Sequence, residues 1–213
     1  MNTMTTPADS ETKNAILRTA AGLFQERGYT KTKVVDIARA VGITPASLYW
    51  HFSSKEDILV EYLEGGFLTF NERMDAALEG VEGSVNQLRA LASAHTFAQL
   101  EFRDQAQTVL SVTHSSAQLV SALPPQRLEH IRALNRIHVD RIKKLIHEGI
   151  EEGVFLTDDA NALAFAVLNI CEYTALWFRP EGDATAESIA SSNGEFAVRM
   201  AVGGCGHHRG DPA

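Results

Sequence analysis

The spacing of apolar residues constrains the fold of this chain more than any other feature. From about residue 12 onward, apolar side chains recur every three to four residues, and no stretch shows the convincing period of two of a β-strand. In one stretch, Val34, Ile37, Ala38 and Val41 follow one another at the spacing of a buried helix face. The sequence therefore predicts an all-α fold.

Glycine, proline and capping residues predict where the helices begin and end. Gly28 and Gly42 suit left-handed C-caps, while Thr44 suits an N-cap with Pro45 at the first helical position. Predicted helices cover about 12–27, 32–41, 44–52, 53–79, 84–102, 104–121, 125–152, 158–178 and 184–202, about nine in total. The predicted organisation is a disordered tail at 1–11, a three-helix module at 12–57, a helical body at 58–202 and a disordered tail at 203–213.

Composition excludes several classes of protein. The 213 residues contain no apolar run near the 18 needed to cross a membrane, and the polar N-terminus lacks the features of a signal peptide. Cys171 and Cys205 form neither a disulfide framework nor a CxxC pair. We therefore expect a cytoplasmic protein with no membrane association, no metal site and no cofactor.

The charge distribution differs between the two predicted modules. The net charge is −8, yet residues 1–55 contain seven Lys/Arg against four Asp/Glu. The remaining residues contain twelve Lys/Arg against twenty-three Asp/Glu. This asymmetry indicates a small basic module attached to an acidic body, although chance fluctuation is the alternative.

The segment GITPASLYWHF (42–52) predicts a short helix with an unusual outer face. Leu48 and Phe52, four residues apart, would face the two preceding helices, and this leaves Thr, Ser, Tyr, Trp and His side chains outward. A helix, a tight turn with glycine and a second helix is the arrangement that places the second helix in a DNA major groove. Hydroxyls and imidazole there can bond base edges and phosphates, and Lys33 and Lys55 can bind the backbone.

The stretch 23–59 resembles the DNA-binding domain of the TetR family of bacterial transcriptional regulators. The position after Glu56 where the family pattern has leucine holds Ile58, a mild departure. The matching positions are Phe24, Gly28, Tyr29, Thr32, Asp36, Ile37, Ala38, Gly42, Ile43, Thr44, Leu48, Tyr49, His51, Phe52, Lys55 and Glu56.

The resemblance implies a homodimeric regulator, commonly a repressor, that binds a palindromic operator in double-stranded DNA. Trp50 occupies a variable family position, so its role here is our own inference. Packing of Tyr49 against the first helix and a plain surface role for His51 are the alternatives. The predicted DNA-binding residues are Thr32, Lys33, Thr44, Pro45, Ala46, Ser47, Tyr49, Trp50, His51 and Lys55.

The resemblance further implies that the last two long helices form the dimer interface. The segment 158–178 is apolar around much of its circumference, which calls for cover on two sides. Asn193 and Gly194 put the length and straightness of the last helix in doubt, and burial of both helices within a monomer is the alternative. The predicted interface residues are Leu163, Val167, Ile170, Thr174, Ile189, Phe196 and Met200.

The segment 176–190 resembles TetR-like regulators that respond to coenzyme A thioesters. We therefore expect a small-molecule effector, possible in two forms: an acyl-CoA, or a hydrophobic drug-like or aromatic ligand. Ordinary core packing is the alternative for each apolar member, and a helix-end cation is the alternative for Arg179. The predicted pocket residues are Phe97, Leu100, Phe102, Arg103, Val109, Val112, Phe165, Asn169, Trp177 and Arg179.

Three further features have competing interpretations. Gly65 and Gly66, inside the predicted fourth helix, indicate either a hinge between the modules or close packing of helices. An enzyme is disfavoured because the chain lacks a phosphate-binding Gly-rich turn, an HExxH motif and a nucleophile elbow. A helical protein-interaction module without DNA binding is the other alternative, and the polar face at 44–51 argues against it.

Overall fold

The computed structural model of the chain describes residues 7–102, 123–157 and 159–203. Within these ranges the regular elements are α-helices, which confirms the predicted fold class. The helices are α1 (Pro7–Arg27), α2 (Val34–Val41), α3 (Pro45–His51), α4 (Lys55–Leu78), α5 (Ser84–Glu101), α6 (Pro125–Glu151), α7 (Ala160–Glu172), α8 (Thr174–Trp177) and α9 (Ala186–Val202). The helix predicted over 104–121 and the tail from 204 lie outside the described residues.

The first helix begins earlier than predicted. α1 starts at Pro7, inside the segment 1–11 that was expected to be disordered. Proline is well tolerated in the first turn of a helix, and Asp9 in that turn interacts favourably with the helix dipole. The polar composition of this segment led to the prediction of disorder, although these two residues favour the start of a helix.

Local caps fix the turns around α3 as predicted. Gly42 has φ of 83°, and the N–H of Ile43 donates to the carbonyl of Ala38 at 3.0 Å, as in a Schellman motif. The hydroxyl oxygen of Thr44 accepts from the N–H of Ser47 at 3.1 Å and caps α3. These bonds set the direction in which α3 leaves α2.

The long helix predicted over 158–178 is interrupted at Tyr173, between α7 and α8. The hydroxyl of Thr174 donates to the carbonyl of Ile170 at 2.6 Å, and the side-chain amide of Asn193 donates to the same carbonyl at 2.9 Å. Side-chain bonds of this kind compete with the backbone ladder and bend helices. The interruption follows from these contacts, one of which comes from α9.

The described residues divide into two compact units. The first unit contains the residues up to Thr69 together with 123–134, and the second contains Phe70 to 102 together with residues from 135 onward. The boundary predicted at 57/58 falls inside α4, which is a continuous helix. The core of the first unit is formed by α1 to α4 with the start of α6, around Ile16, Ile37, Leu48 and Leu59.

The second unit is built on α5, which contacts α7, α8 and α9. Its core contains Leu88, Leu91, Ile142 and Val167. Within the described ranges, no helix combines the length and apolarity that a bilayer crossing requires. Those ranges also contain no group of three or more His, Cys, Asp or Glu side chains arranged to hold a metal ion.

The Asn193-Gly194 pair does not weaken α9, which is continuous to Val202. Asn193 is buried, and its amide lies within hydrogen-bond distance of the hydroxyls of Thr96 (3.1 Å) and Thr174 (2.9 Å). A Cβ at position 194 would lie 2.2 Å from the Ser93 hydroxyl and 2.8 Å from the Arg89 carbonyl. Glycine is required there because α9 approaches α5 closely, so the pair joins helices instead of interrupting one.

Candidate nucleic-acid interface and buried polar core

α3 presents a continuous exposed face. Thr44, Pro45, Ala46 and Ser47 are exposed, and so are Tyr49 and Trp50, which retain 53% and 69% of their accessible surface. Leu48 and Phe52, by contrast, are buried in the core of the first unit. The two anchors hold α3 while its remaining side chains lie open to solvent. His51 is half-buried.

The two predicted phosphate-binding lysines differ in their surroundings. Lys33 is exposed at the N-cap of α2. The ammonium of Lys55 donates to the carbonyls of Tyr29 (2.8 Å) and Thr32 (3.1 Å) and lies 4.1 Å from the centre of the Tyr29 ring. Burial lowers the pKa of Lys55. Since an ammonium has three N–H groups, one remains for a phosphate while Lys55 ties α4 to the loop before α2.

Thr32 does not lie where the resemblance placed it. Only 1% of its surface is exposed, and its hydroxyl lies 2.9 Å from the carbonyl of Gly28 and 3.2 Å from that of Leu23. The hydroxyl therefore closes the loop between α1 and α2 and is not available to a phosphate. Tyr29, also buried, donates to Glu56 at 2.9 Å and completes the same junction.

Sequence reasoning missed two exposed cations on or just before α2. Lys31 is exposed in the loop before α2, and the Arg39 side chain on α2 is 79% exposed. Arg39 lies 4.0 Å from Asp36, a distance typical of a weak surface pair. The basic excess of residues 1–55 was the signal that could have directed attention to both.

A cleft of about 310 Å³ beside His51 is unsuited to an anion. Its lining includes Asp57, Glu61 and Glu64, and Arg127 is the cation among its lining residues. Arg127 pairs with Asp57 at 2.8 Å. The hydroxyl of Ser53, then that of Ser54 and Arg127, lower the pKa of Asp57 against the opposing effect of burial. A duplex phosphate would meet predominantly negative charge in this cleft.

The second unit contains a buried polar cluster that the sequence did not reveal. Nε2 of His138 lies 3.0 Å from Nδ1 of His95, and Nε2 of Gln99 lies 3.1 Å from Nε2 of His95. Phe70 meets both imidazoles edge-on, with ring centres 5.0 and 4.8 Å away. Burial lowers the pKa of His95 to about 3, and burial, His95 and Arg141 lower that of His138. Both imidazoles are neutral at ordinary pH.

The predicted pocket residues do not form one group. Leu100 is buried and Phe97 and Phe102 are half-buried, whereas the members from α7 onward are exposed. The Arg179 guanidinium lies within 3.1–3.4 Å of the carbonyls of residues 176, 177 and 178, as expected of a helix-end cation. The exposed members are Phe165, Asn169, Trp177 and Arg179, and Arg103, Val109 and Val112 lie outside the described residues.

The predicted dimer residues also divide by burial. Leu163, Val167 and Thr174 are buried within the core of their own unit, so their side chains are not available to a partner. Ile170 and Ile189 are half-buried. Phe196 and Met200 are exposed on α9. The all-round apolarity of the 158–178 segment did not distinguish its inner face from its outer one.

Two family models match this chain. Residues 16–62 match the model described as bacterial regulatory proteins of the tetR family. Residues 82–201 match the model described as the tetracyclin repressor-like C-terminal domain. The chain belongs to the TetR family. As a TetR-family protein it is a DNA-binding transcriptional regulator and not an enzyme.

The proteins similar to this chain include transcriptional regulators from Rhodococcus and Mycobacterium. The HTH-type transcriptional repressor KstR2 of Rhodococcus jostii (strain RHA1) is 30% identical over 188 residues, 87% of this chain and 88% of that protein. The structure of the ketosteroid transcriptional regulator KstR2 of Mycobacterium tuberculosis aligns with a TM-score of 0.76 at 27% identity, covering 89% of this chain and 94% of that one. The crystal structure of AibR in complex with isovaleryl coenzyme A and operator DNA aligns with a TM-score of 0.74 at 27% identity, covering 90% and 98%.

Proposed function

We propose that this TetR-family protein is a homodimeric repressor that binds a palindromic operator through α2 and α3. It is released from the operator by a small-molecule effector, an acyl-CoA thioester. The observation that supports the proposal most directly is the exposed face of α3, where hydroxyl, phenol and indole groups lie open above two buried anchors. Groups of this kind bond base edges and phosphates when a helix enters the major groove.

The proposed DNA contacts divide into those that specify sequence and those that position the protein. Thr44 to Ser47, at the start of α3, contact base edges, and Tyr49, Trp50 and His51 contact the backbone. Lys33 and the remaining N–H of Lys55 bind phosphate, as does Arg39. Thr32 contributes only by holding the loop that presents Lys33.

The proposed dimer surface consists of the exposed apolar side chains of α7 to α9. Phe165, Trp177, Phe196 and Met200 retain 50%, 55%, 49% and 37% of their accessible surface. Where apolar side chains of this size form a continuous patch on a protein surface, the patch usually marks an interaction site. Pairing two chains gives two α3 helices for two half-sites, which lie about 34–36 Å apart in successive major grooves.

The effector proposal is supported by the similar structure of AibR, which contains isovaleryl coenzyme A and operator DNA. A hydrophobic drug-like or aromatic ligand is the second candidate. In either case the effector acts by preferring a conformation whose two α3 helices no longer match the operator. A coupling free energy of about 1–3 kcal/mol lowers operator affinity by about five- to 150-fold.

Fluorescence anisotropy with labelled DNA from upstream of the protein's own gene tests the proposal. We expect salt-dependent binding that isovaleryl-CoA weakens and coenzyme A alone does not. K33A should lower the salt slope by about one. Leu68→Ala, at an exposed apolar position on α4, is the control and should bind like the wild type. Failure of the full chain to bind any fragment of this region above non-specific affinity would contradict the proposal.

A further inference from the structure

Gln99 and two buried histidines form a chain of hydrogen bonds, and the atom at each end of it has no partner among the described residues. The chain runs from Gln99 through His95 to His138, over contacts of 3.1 and 3.0 Å. Oε1 of Gln99 and Nδ1 of His138 are both buried, and neither has a hydrogen-bond partner within the described part of the protein. A buried polar atom left unpaired destabilises the folded protein because it has lost its hydrogen bonds to water and gained none in return. The two ends therefore mark positions where another molecule would stabilise the protein.

The chain of bonds has only two consistent directions. A neutral imidazole has one donor nitrogen and one acceptor nitrogen. If the Gln99 amide donates to His95, then His95 donates to His138, and Nδ1 of His138 bears a hydrogen. If the Gln99 amide is rotated so that its oxygen faces His95, the direction of both hydrogen bonds reverses. Nδ1 of His138 then becomes an acceptor. In both directions, His138 offers one uncharged hydrogen-bonding atom.

The surroundings of His138 favour a neutral partner. Phe70 lies edge-on to both imidazoles, and fully buried Met74 belongs to the same apolar core. Arg141 is held by Asn71 at 3.0 Å and Asp75 at 2.6 Å. Placing a charged ligand group in such a core carries a large desolvation cost. A hydroxyl suits both directions of the chain because it donates and accepts.

We propose that His138, supported by His95 and Gln99, binds a neutral oxygen, a hydroxyl or a ketone, on the apolar body of the effector. The inference rests on the proposed effector function and deepens it. It favours an effector whose apolar part is oxygenated over one with a saturated hydrocarbon chain. His95 and Gln99 act as positioning residues because they fix which hydrogen His138 presents.

Nuclear magnetic resonance of the full-length protein with ¹⁵N-labelled histidine tests the inference. Cyclohexanol is the probe, with methylcyclohexane and cyclohexanecarboxylate as matched ligands that lack a neutral oxygen. Cyclohexanol should shift the Nδ1 resonance of His138 and bind about tenfold more tightly than either matched ligand. Equal affinity for the three ligands would overturn the inference, and so would the absence of a shift in the His138 resonance. The inference also fails if an ordered water alone accounts for the position of that resonance.

His138→Phe keeps a ring of similar size and removes the nitrogens. It should abolish the preference for cyclohexanol, whereas His147→Phe, at an exposed histidine on the same helix, should preserve it. Circular dichroism checks folding, and if H138F does not fold, the wild-type resonances decide. If isovaleryl-CoA releases the operator from wild type while H138F still prefers cyclohexanol to methylcyclohexane, the effector function stands and the role of His138 fails. If cyclohexanol binds at His138 while no thioester alters operator affinity, the site stands and the thioester effector fails.

Discussion

Two glycines inside helices of this protein have opposite surroundings. Gly65 on α4 is exposed, and, apart from the adjacent backbone of its own helix, no atom of the described residues would lie within 4 Å of a Cβ there. Gly194 on α9 is buried against Ser93 and the carbonyl of Arg89 on α5. The conformational cost of glycine is therefore compensated by close packing only at position 194.

Replacing each glycine by alanine should change stability in opposite directions. Gly65→Ala should raise the free energy of unfolding by about 1 kcal/mol, because alanine restricts the unfolded chain and meets no obstacle. Gly194→Ala should lower it by about 1–3 kcal/mol, because α9 must move away from α5. Urea denaturation of the two variants measures both effects, and destabilisation by Gly65→Ala would contradict the assignment.

Glu172, the last residue of α7, should make stability depend on pH. Burial raises the pKa of Glu172 from 4.5 to about 7. Between these values the folded protein keeps the carboxyl protonated while the unfolded chain ionises it, so stability is lost as pH rises through this window. Glu172→Gln removes the effect. The variant should gain up to about 3 kcal/mol relative to wild type between pH 5 and pH 8, measured by urea denaturation. If the difference in the free energy of unfolding between Glu172→Gln and wild type stays constant from pH 5 to pH 8, the prediction is wrong.

At the scale of elements, the role of Gly65 and Gly66 depends on their position inside the long helix α4. The helix is continuous from Lys55 to Leu78 and contributes residues to both compact units. The open space around Gly65 argues against close helix packing at that position, whereas Gly66 is half-buried. A hinge at this pair remains our prediction.

Replacing both glycines by alanine should weaken induction and leave operator binding largely intact. Alanine stiffens the helix, so we expect a change driven by the proposed effector to be transmitted less readily to α3. Anisotropy with operator and isovaleryl-CoA measures both quantities. The single variant Gly65→Ala is the control for stability, because it gains the stabilising effect of alanine but keeps Gly66 as a flexible position. Induction identical to wild type in the double variant would rule out the hinge.

At the scale of the whole molecule, we propose that the exposed apolar side chains of α7 to α9 contact a second copy of the chain. Phe196→Glu and Met200→Glu should dissociate the proposed dimer, because a carboxylate would be buried without a counterion. Ile137→Glu, at an exposed apolar position on α6, is the control. Sedimentation velocity should show monomers for the first two variants only, and their operator affinity should fall by at least tenfold. Dimers that persist in both would place the interface elsewhere.

The sequence by itself determined the all-α class, most helix boundaries and the exposed face of α3. Helix periodicity, glycine C-caps and the Thr44 cap are local signals, because each affects the backbone only within a few residues in the sequence. The motif over residues 23–59 added the family, which the comparisons confirm.

The tertiary structure alone decided which side chains within those elements are available. Thr32 has a polar side chain in a DNA-binding motif, yet its hydroxyl is used by the loop behind it. Leu163 and Phe165 are both apolar on α7, yet only packing against α5 and α9 separates the buried one from the exposed one. His95 and His138 are 43 residues apart, so their contact arises only when α5 and α6 pack together. Such pairings depend on long-range geometry that no local pattern encodes.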